Sequence, residues 1–368
     1  MKRIIAQIQK EIRQFLRDRL TVALAFVLPL ITLLILGYAI RLEEKNISIA
    51  IQDEDNSPLS RAFTERLLAT DQLEGESYTS HDILHSAIDT GRAQAAIIIP
   101  PEFSRRFKAG RTASIEVIID GTDVNNARVI RNSVLAVTQQ FQISLQQGPH
   151  SPPIKADIRL WFNPGRKESL YVVPGTFGLI LWIYPNLLAA IALAREKEQG
   201  TILQAYASSI TAFELIVGKA LAYLIIGISI STFVVVIGMI LFQLRFVGDP
   251  TPFLVGTALF VLDSVLFGLM IGSITTTQNA AVQAVAFAGF TPALLLSGFL
   301  YPLRNIKYPF NYLSYIFPTR YYMPLARDSF VRGAGWTSLW GLVLLFVLFA
   351  GIYFLRTKHR MNRMQLEG

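Results

Sequence analysis

Between Ala194 and Lys219 the chain carries AREKEQGTILQAYASSITAFELIVGK, set between two long apolar runs. Arg195, Glu196, Lys197 and Glu198 alternate in sign directly after the first run, and Gly200 and Thr201 follow. These types are not a nucleophile with its base. Charge at the end of an apolar helix makes ion pairs and fixes a docking angle instead. Glycine past the last turn ends a helix. Thr211-Ala212-Phe213-Glu214 has capping-box spacing and opens the next one. Ile202, Leu203 and Tyr206 make the intervening segment amphipathic, and Ser208-Ser209 breaks it. The spacing predicts a rigid elbow of short helices over 195–218, which a membrane domain needs if force arrives from a soluble partner. An ordinary connecting loop is the plainer alternative.

Other chemistry is thinly supplied. Gly218-Lys219 lacks the upstream glycine and the following hydroxyl of a phosphate-binding loop. Cysteine is absent, so a disulfide framework, a thiolate metal site and a cysteine nucleophile are excluded. His81, His85, His150 and His359 are scattered and none lies in an apolar run, which speaks against a metal site or a histidine-dependent hydrolase. Asp53, Asp55, Asp120 and Asp123 follow strand-like runs, where carboxylates cap turns and helices more often than they catalyse. Asp263, in FVLDSVLFG, is the clearest ionisable residue inside an apolar run. Such a residue is a functional candidate by default. A hydrogen-bonded contact between helices is the competing expectation.

The elements that must position these residues follow from composition. The 368 residues are 52% hydrophobic and 16% charged, against about 25% charged in soluble domains, and mean hydropathy is +0.42. Apolar runs long enough to cross a bilayer recur. The expected class is therefore an α-helical polytopic membrane protein. Its net charge of +8 sits beside apolar runs and reads as membrane topology, not nucleic-acid binding. Residues 1–19 place Ile4, Ile5, Ile8, Ile12, Phe15 and Leu16 on one helical stripe, with Lys2, Arg3, Lys10, Arg13 and Arg17 mostly off it. This predicts a cytoplasmic interfacial helix. A retained first span follows over 20–41, containing Pro29.

Residues 42–168 change character. ISIAIQD, QAAIIIP and ASIEVIID read as strands, PLSRAFTERLLAT and SHDILHSAIDTG as helices, and 122–147 as a longer helix stopped by GPHSPP. The alternation predicts an α/β domain inserted between the first and second spans. Five further spans, near 170–193, 219–243, 252–274, 280–298 and 337–355, fill 169–356 and with the first complete a six-span membrane domain, ahead of a tail at 357–368. Basic residues before the first span, in the elbow and after the last span put both termini in the cytoplasm and 42–168 outside. Arg304, Lys307, Arg320, Arg327 and Arg332 lie on the other side and weaken the asymmetry.

The elbow resembles the R-E-[KR]-E-x-G-T…E…G-K motif of type-2 ABC transporter permeases, matched by Arg195, Glu196, Lys197, Glu198, Gly200, Thr201, Glu214, Gly218 and Lys219. KEIRQFLRDRLTVALAFVLPL resembles that family's interfacial helix and first span. Residues 297–333, with Gly298, Pro302, Pro318 and Arg320, resemble its SGF-x-[FY]-P…P-x-R-Y…R…G segment of two re-entrant helices. After Thr201 the chain departs from the family pattern, with Leu203, Gln204 and Ala205 in place of the usual E-Q-L and Ser209-Ile210-Thr211 in place of a T-P pair.

The resemblance implies a permease subunit that is not itself an enzyme and binds no cofactor. It would pair with a second permease copy or paralogue and with two ATP-binding cassette subunits that hold ATP and magnesium. Arg195, Glu196, Lys197, Glu198, Gly200, Thr201, Glu214 and Lys219 would couple it to them. The drug-export branch of Gram-negative bacteria carries such an inserted domain in the periplasm. That likeness implies an inner-membrane exporter of amphipathic compounds, open to a periplasmic adaptor. Phe26, Tyr38, Phe177, Trp182, Asn186, Phe287 and Phe290, with Asp263, are the candidate pathway residues. A secondary transporter would show inverted repeats and paired intramembrane charges. A membrane-anchored sensor or assembly protein would use the inserted domain to bind a ligand.

Overall fold

The computed structural model describes residues 1–39, 47–70, 72–77, 87–88, 92–120, 124–145, 168–207, 210–300, 303 and 306–366. The chain separates into two compact units, 1–40 with 160–368, and 41–159. The first is helical: α1 Lys2–Arg17, α2 Arg19–Ala39, then α6 Ser169–Glu198, α7 Thr201–Ala207, α8 Ala212–Leu241 and α9 Thr251–Ile274. α10 spans Gln278–Leu296. After it come the short helices α11 Phe310–Ser314 and α12 Thr319–Arg327, and the long α13 Trp336–Leu366. Six of these helices are long and apolar enough to cross a membrane.

α6 and α9 form the centre, with two-thirds of each apolar window buried. Their backbones touch because glycines face them: a Cβ on Gly268 would stand 2.2 Å from the Asn186 carbonyl oxygen, and one on Gly272 2.7 Å from that of Ala190. Small residues that let backbones meet replace the hydrophobic drive that helices lack inside lipid. α2 keeps Leu20, Leu24, Leu28, Ile31 and Ile35 exposed, as suits a helix whose outer solvent is itself apolar. Within α10, the helix widens to a π-turn over Ala286–Phe290 just ahead of Pro292. Proline has no N–H to give the preceding turn, and Thr291 Oγ1 donates to the Ala286 carbonyl at 3.0 Å.

The second unit holds a four-stranded sheet of β1 Ile47–Asp53, β2 Leu73–Ser77, β3 Ala95–Ile99 and β4 Glu116–Ile119, with α3 Pro58–Leu68, α4 Phe103–Lys108 and α5 Val124–Leu145. Strand order is β2-β1-β3-β4. β1 runs parallel to β2 and β3, and β4 antiparallel to β3. Ile47, Ile49 and Ile51 pack against Phe63, Leu67, Ile130, Val134 and Phe141 on one face, while Ala50 and Ala96 face a smaller cluster with Ala87.

β2 is an element the reading of strands omitted. LEGES is short and polar, and its Gly75 lets Leu68 of α3 lie where a Cβ would be only 2.3 Å away. The carboxylates at the strand ends make turns: Asp53 accepts from Asp55 N–H, Asn56 N–H and Ser60 Oγ, and Asp55 accepts from Ser104. Asp123, His81, His85 and the helix expected over 80–91 fall outside the described residues, apart from Ala87 and Ile88.

Candidate functional site

Thirty residues at 1.5 Å rise make α6 about 45 Å long, beyond a hydrocarbon core of about 30 Å. Its apolar run ends near Leu193, but helix propensity does not, and Arg195-Glu196-Lys197-Glu198 form one more helical turn rather than a loop. Gln199 closes the helix and Gly200 takes φ +69°, the left-handed region open to glycine. α7 starts at once. α8 also begins earlier than its hydropathy indicates, at Ala212, behind a Thr211–Glu214 capping box. Lys219 therefore lies inside a helix.

These two extended ends clasp α1 through charge. Lys219 Nζ, 1% exposed, donates to Glu11 Oε1 at 2.6 Å and lies 3.0 Å from Glu196 Oε2. Lys10 Nζ reaches Glu196 Oε1 at 2.5 Å, and Gln7 Nε2 donates to Glu11 Oε1 at 2.7 Å. Two ammonium and two carboxylate groups thus alternate across three helices, each charge neutralised by a neighbour. Gly218 makes the clasp possible, because a Cβ there would press to 2.7 Å on the Gln7 side chain.

Each remaining motif residue has an internal partner. Arg195 Nε donates to Gln278 Oε1 at 3.1 Å and its guanidinium lies 3.6 Å from Asp18. The Asp18 carboxyl is held below its usual range, first by the Thr21 hydroxyl, then by the Thr21 N–H, and further by Arg195. Lys197 Nζ donates to the Ser273 carbonyl at 3.0 Å. Glu198 Oε2 accepts from Gln278 N–H and Nε2, each at 3.0 Å, so it caps α10. Thr201 Oγ1 donates to the Glu196 carbonyl at 3.3 Å, and Arg3 stands 3.7 Å from Glu214.

Glu196 and Lys219 therefore turn inward, while the outward surface of the elbow holds Glu198, Gln199, Gly200, Leu203 and Gln204, with Leu203 64% exposed. Glu11 and Gln7 were missed from the sequence. The Ile stripe of α1 covers only part of the packed face: Ile5 and Leu16 are exposed, Ile4, Ile8 and Ile12 are half-buried, and Phe15 is buried together with the polar Gln7 and Glu11. The i, i+4 spacing of Gln7, Glu11 and Phe15 was the only signal.

The expected pathway residues do not form one surface. Phe177, Trp182, Asn186 and Asp263 are fully buried within the helical unit. Trp182 rests on Phe260 and Phe267 and donates Nε1–H to the Gly289 carbonyl at 3.2 Å. Phe26 stands edge-on to Phe233, and Tyr38, Phe287 and Phe290 are exposed. Neither carboxylate oxygen of Asp263 has a hydrogen-bond partner among the described residues, so the hydrogen-bonded helix contact expected for it is not what is found. The same holds for both side-chain atoms of Asn186.

In the 297–333 segment, Gly298 takes φ +83° and Pro318 precedes α12. Arg320 bonds Asn311 and Ser314 and covers the Tyr315 ring at 3.8 Å, tying α12 to α11. Pro302 lies outside the described residues.

Residues 19–356 match the model of the ABC-2 family transporter proteins. The chain belongs to this family. It is thus an ABC transporter permease, a multi-pass membrane subunit of the kind that works with ATP-binding cassette partners. It is 31% identical over 354 residues to the probable multidrug ABC transporter permease YbhR of Escherichia coli (strain K12), covering 93% of this chain and 95% of the relative. It is 27% identical over 369 residues to the probable multidrug ABC transporter permease YbhS of the same strain, covering 98% of each. The inner membrane transport permease YhhJ, also of that strain, is 27% identical over 318 residues, covering 83% of this chain and 82% of the relative.

Proposed function

We propose that this permease exports a hydrophobic or amphipathic, drug-like compound across the bacterial inner membrane, driven by separate ATPase subunits that hold ATP and magnesium. The printed names of YbhR and YbhS support the substrate class. In this reading α7 is the coupling helix, both termini and the elbow face the cytoplasm, and the 47–145 sheet unit faces the periplasm. A second permease copy completes the pathway, and a periplasmic adaptor is a further candidate partner.

The observation that carries the reading is the Lys10–Glu196–Lys219–Glu11 cluster, in which Glu11, Glu196 and Lys219 are buried and Lys10 closes the outer side. It joins the elbow to α1, α6 and α8, so a push on α7 is delivered to two spans as a rigid lever instead of being lost in a loop. The motif charges build the lever, and the exposed Leu203 and Gln204 meet the partner.

Leu203→Glu places a carboxylate on the docking face without touching the cluster. It should lower ATPase co-purification and substrate-stimulated ATP hydrolysis at least about tenfold, the loss common when a buried interface anchor is replaced, while the yield of inserted permease holds. Unchanged association and stimulation would show that α7 is only a connector.

A further inference from the structure

At the end of the helical unit opposite the charge cluster lies a cavity of about 490 Å³, lined by Leu170, Tyr171, Leu303, Met323, Arg327 and Val331 among others. Its volume is that of a small-molecule site, and its walls are mostly apolar.

Arg327 is the exception. Its guanidinium lies over the Tyr171 ring at 3.6 Å, and Nη1 donates to the Gly298 carbonyl at 3.0 Å. Nε donates to the Tyr171 carbonyl at 3.4 Å. Gly175 leaves room for the head group, since a Cβ there would stand 3.3 Å from Nη2. Nη2 is buried and has no acceptor. Among the described residues no carboxylate pairs with Arg327. Asp328, also in the lining, is committed to the Ala334 N–H at 3.0 Å, and Arg332 adds a second cation.

A planar cation fixed by two backbone carbonyls and an aromatic ring is pre-organised and cannot discard its proton. Leaving one of its donors buried without an acceptor is costly. Arg327 also lines the cavity, so an anionic oxygen there can meet its guanidinium in a charge-assisted bond, and the apolar walls receive a hydrocarbon tail. We propose that this cavity binds an amphiphile with a single phosphate or carboxylate head, the head on Arg327 and the tail against Leu170, Leu303, Met323 and Val331. Membrane phospholipid and a free anionic amphiphile share this chemistry.

The test uses the full-length permease in phosphatidylcholine nanodiscs, without ATPase or nucleotide, so that it is independent of the export reading. Octyl phosphate is titrated calorimetrically, with empty nanodiscs as the blank and octanol as the neutral competitor. We expect one saturable site that octanol does not displace. Arg327→Gln should weaken it about tenfold or more, the worth of a hydrogen bond to a charged group. Arg327→Lys should retain part of the affinity. Val331→Trp should fill the cavity and abolish binding while the Arg327 hydrogen bonds stay in place, and it decides the matter if Arg327→Gln fails to fold.

Replacing part of the phosphatidylcholine with phosphatidylglycerol separates the two sources. Loss of octyl phosphate binding identifies lipid as the occupant, and persistence identifies a free amphiphile. Equal affinity in the parent and Val331→Trp proteins, or displacement by octanol as readily as by octyl phosphate, would overturn the proposal.

Discussion

Lys219 is the residue on which most rests. It lies between two carboxylates and is 1% exposed, too little for solvent to replace either partner. Removing one member of a buried ion pair costs about 3–5 kcal/mol, because the charge left behind stays buried and unpaired. Lys219→Met leaves Glu11 unpaired and Glu196 with Lys10 alone. The variant should lose that much stability, read as a lower thermal unfolding midpoint in detergent. Adding Glu11→Gln removes the stranded charge and should restore part of it. Equal midpoints for the parent and Lys219→Met would mean that the clasp contributes nothing. The presence of charge at these positions was legible in the sequence, since Arg195, Glu196, Lys197, Glu198 and Lys219 stand out from apolar surroundings. Their direction was not. A string of charges beside an apolar run has the same composition whether it faces a partner or pairs with a neighbouring helix, and Glu11 is 208 residues from Lys219.

At the scale of elements, hydropathy located six spans but set the ends of α6 and α8 too short. The transfer free energy that marks a span ends where the charges begin. The backbone hydrogen bonding that defines a helix continues until a cap such as Gly200 or Thr211 stops it. The capping box before α8 was readable because its spacing is local. The polar part of the packed face of α1 was not, because Gln7 and Glu11 are buried by hydrogen bonding and ion pairing, which an apolar stripe does not mark. Close helix packing was equally hidden. Gly268 is one of 24 glycines in the sequence, yet its absent Cβ sets the α6–α9 separation. Gly268→Ile should force the helices apart at Asn186. Overpacking of this kind costs about 1–3 kcal/mol or more, visible as faster proteolysis and a lower unfolding midpoint. Gly351→Ile, where a Cβ would meet nothing within 4 Å, is the control. If both variants behave alike, the α6–α9 contact is not the constraint that the geometry makes it.

For the whole molecule the charge distribution makes a testable statement of which end faces the cytoplasm. The cluster end carries Lys2, Arg3, Lys10, Arg13 and Arg17 on α1, with Arg195 and Lys197 at the end of α6 and Arg356, Lys358 and Arg360 near the end of α13. Basic residues close to span ends stay on the cytoplasmic side. Arg327 and Arg332 at the other end are a counter-current in that tally. Arg327, however, is folded onto Tyr171 and Gly298 and lines a cavity. A count of basic residues cannot distinguish such a residue from one that orients the chain. Cysteine is absent from the sequence, so single cysteines report without background. Arg111→Cys, at an exposed position after α4, should react in whole cells with a maleimide that cannot cross the inner membrane. Gln204→Cys, exposed on α7, should react only once that membrane is opened. The two positions belong to separate units, and six helices among the described residues are long and apolar enough to cross a membrane. Of the six apolar helices only α6 lies between the two positions, so in the proposed topology its single crossing puts them on opposite sides. Labelling of Gln204→Cys in intact cells with Arg111→Cys protected would invert the topology, and with it the export direction proposed from it. Labelling of both in intact cells would break the one-crossing count for α6.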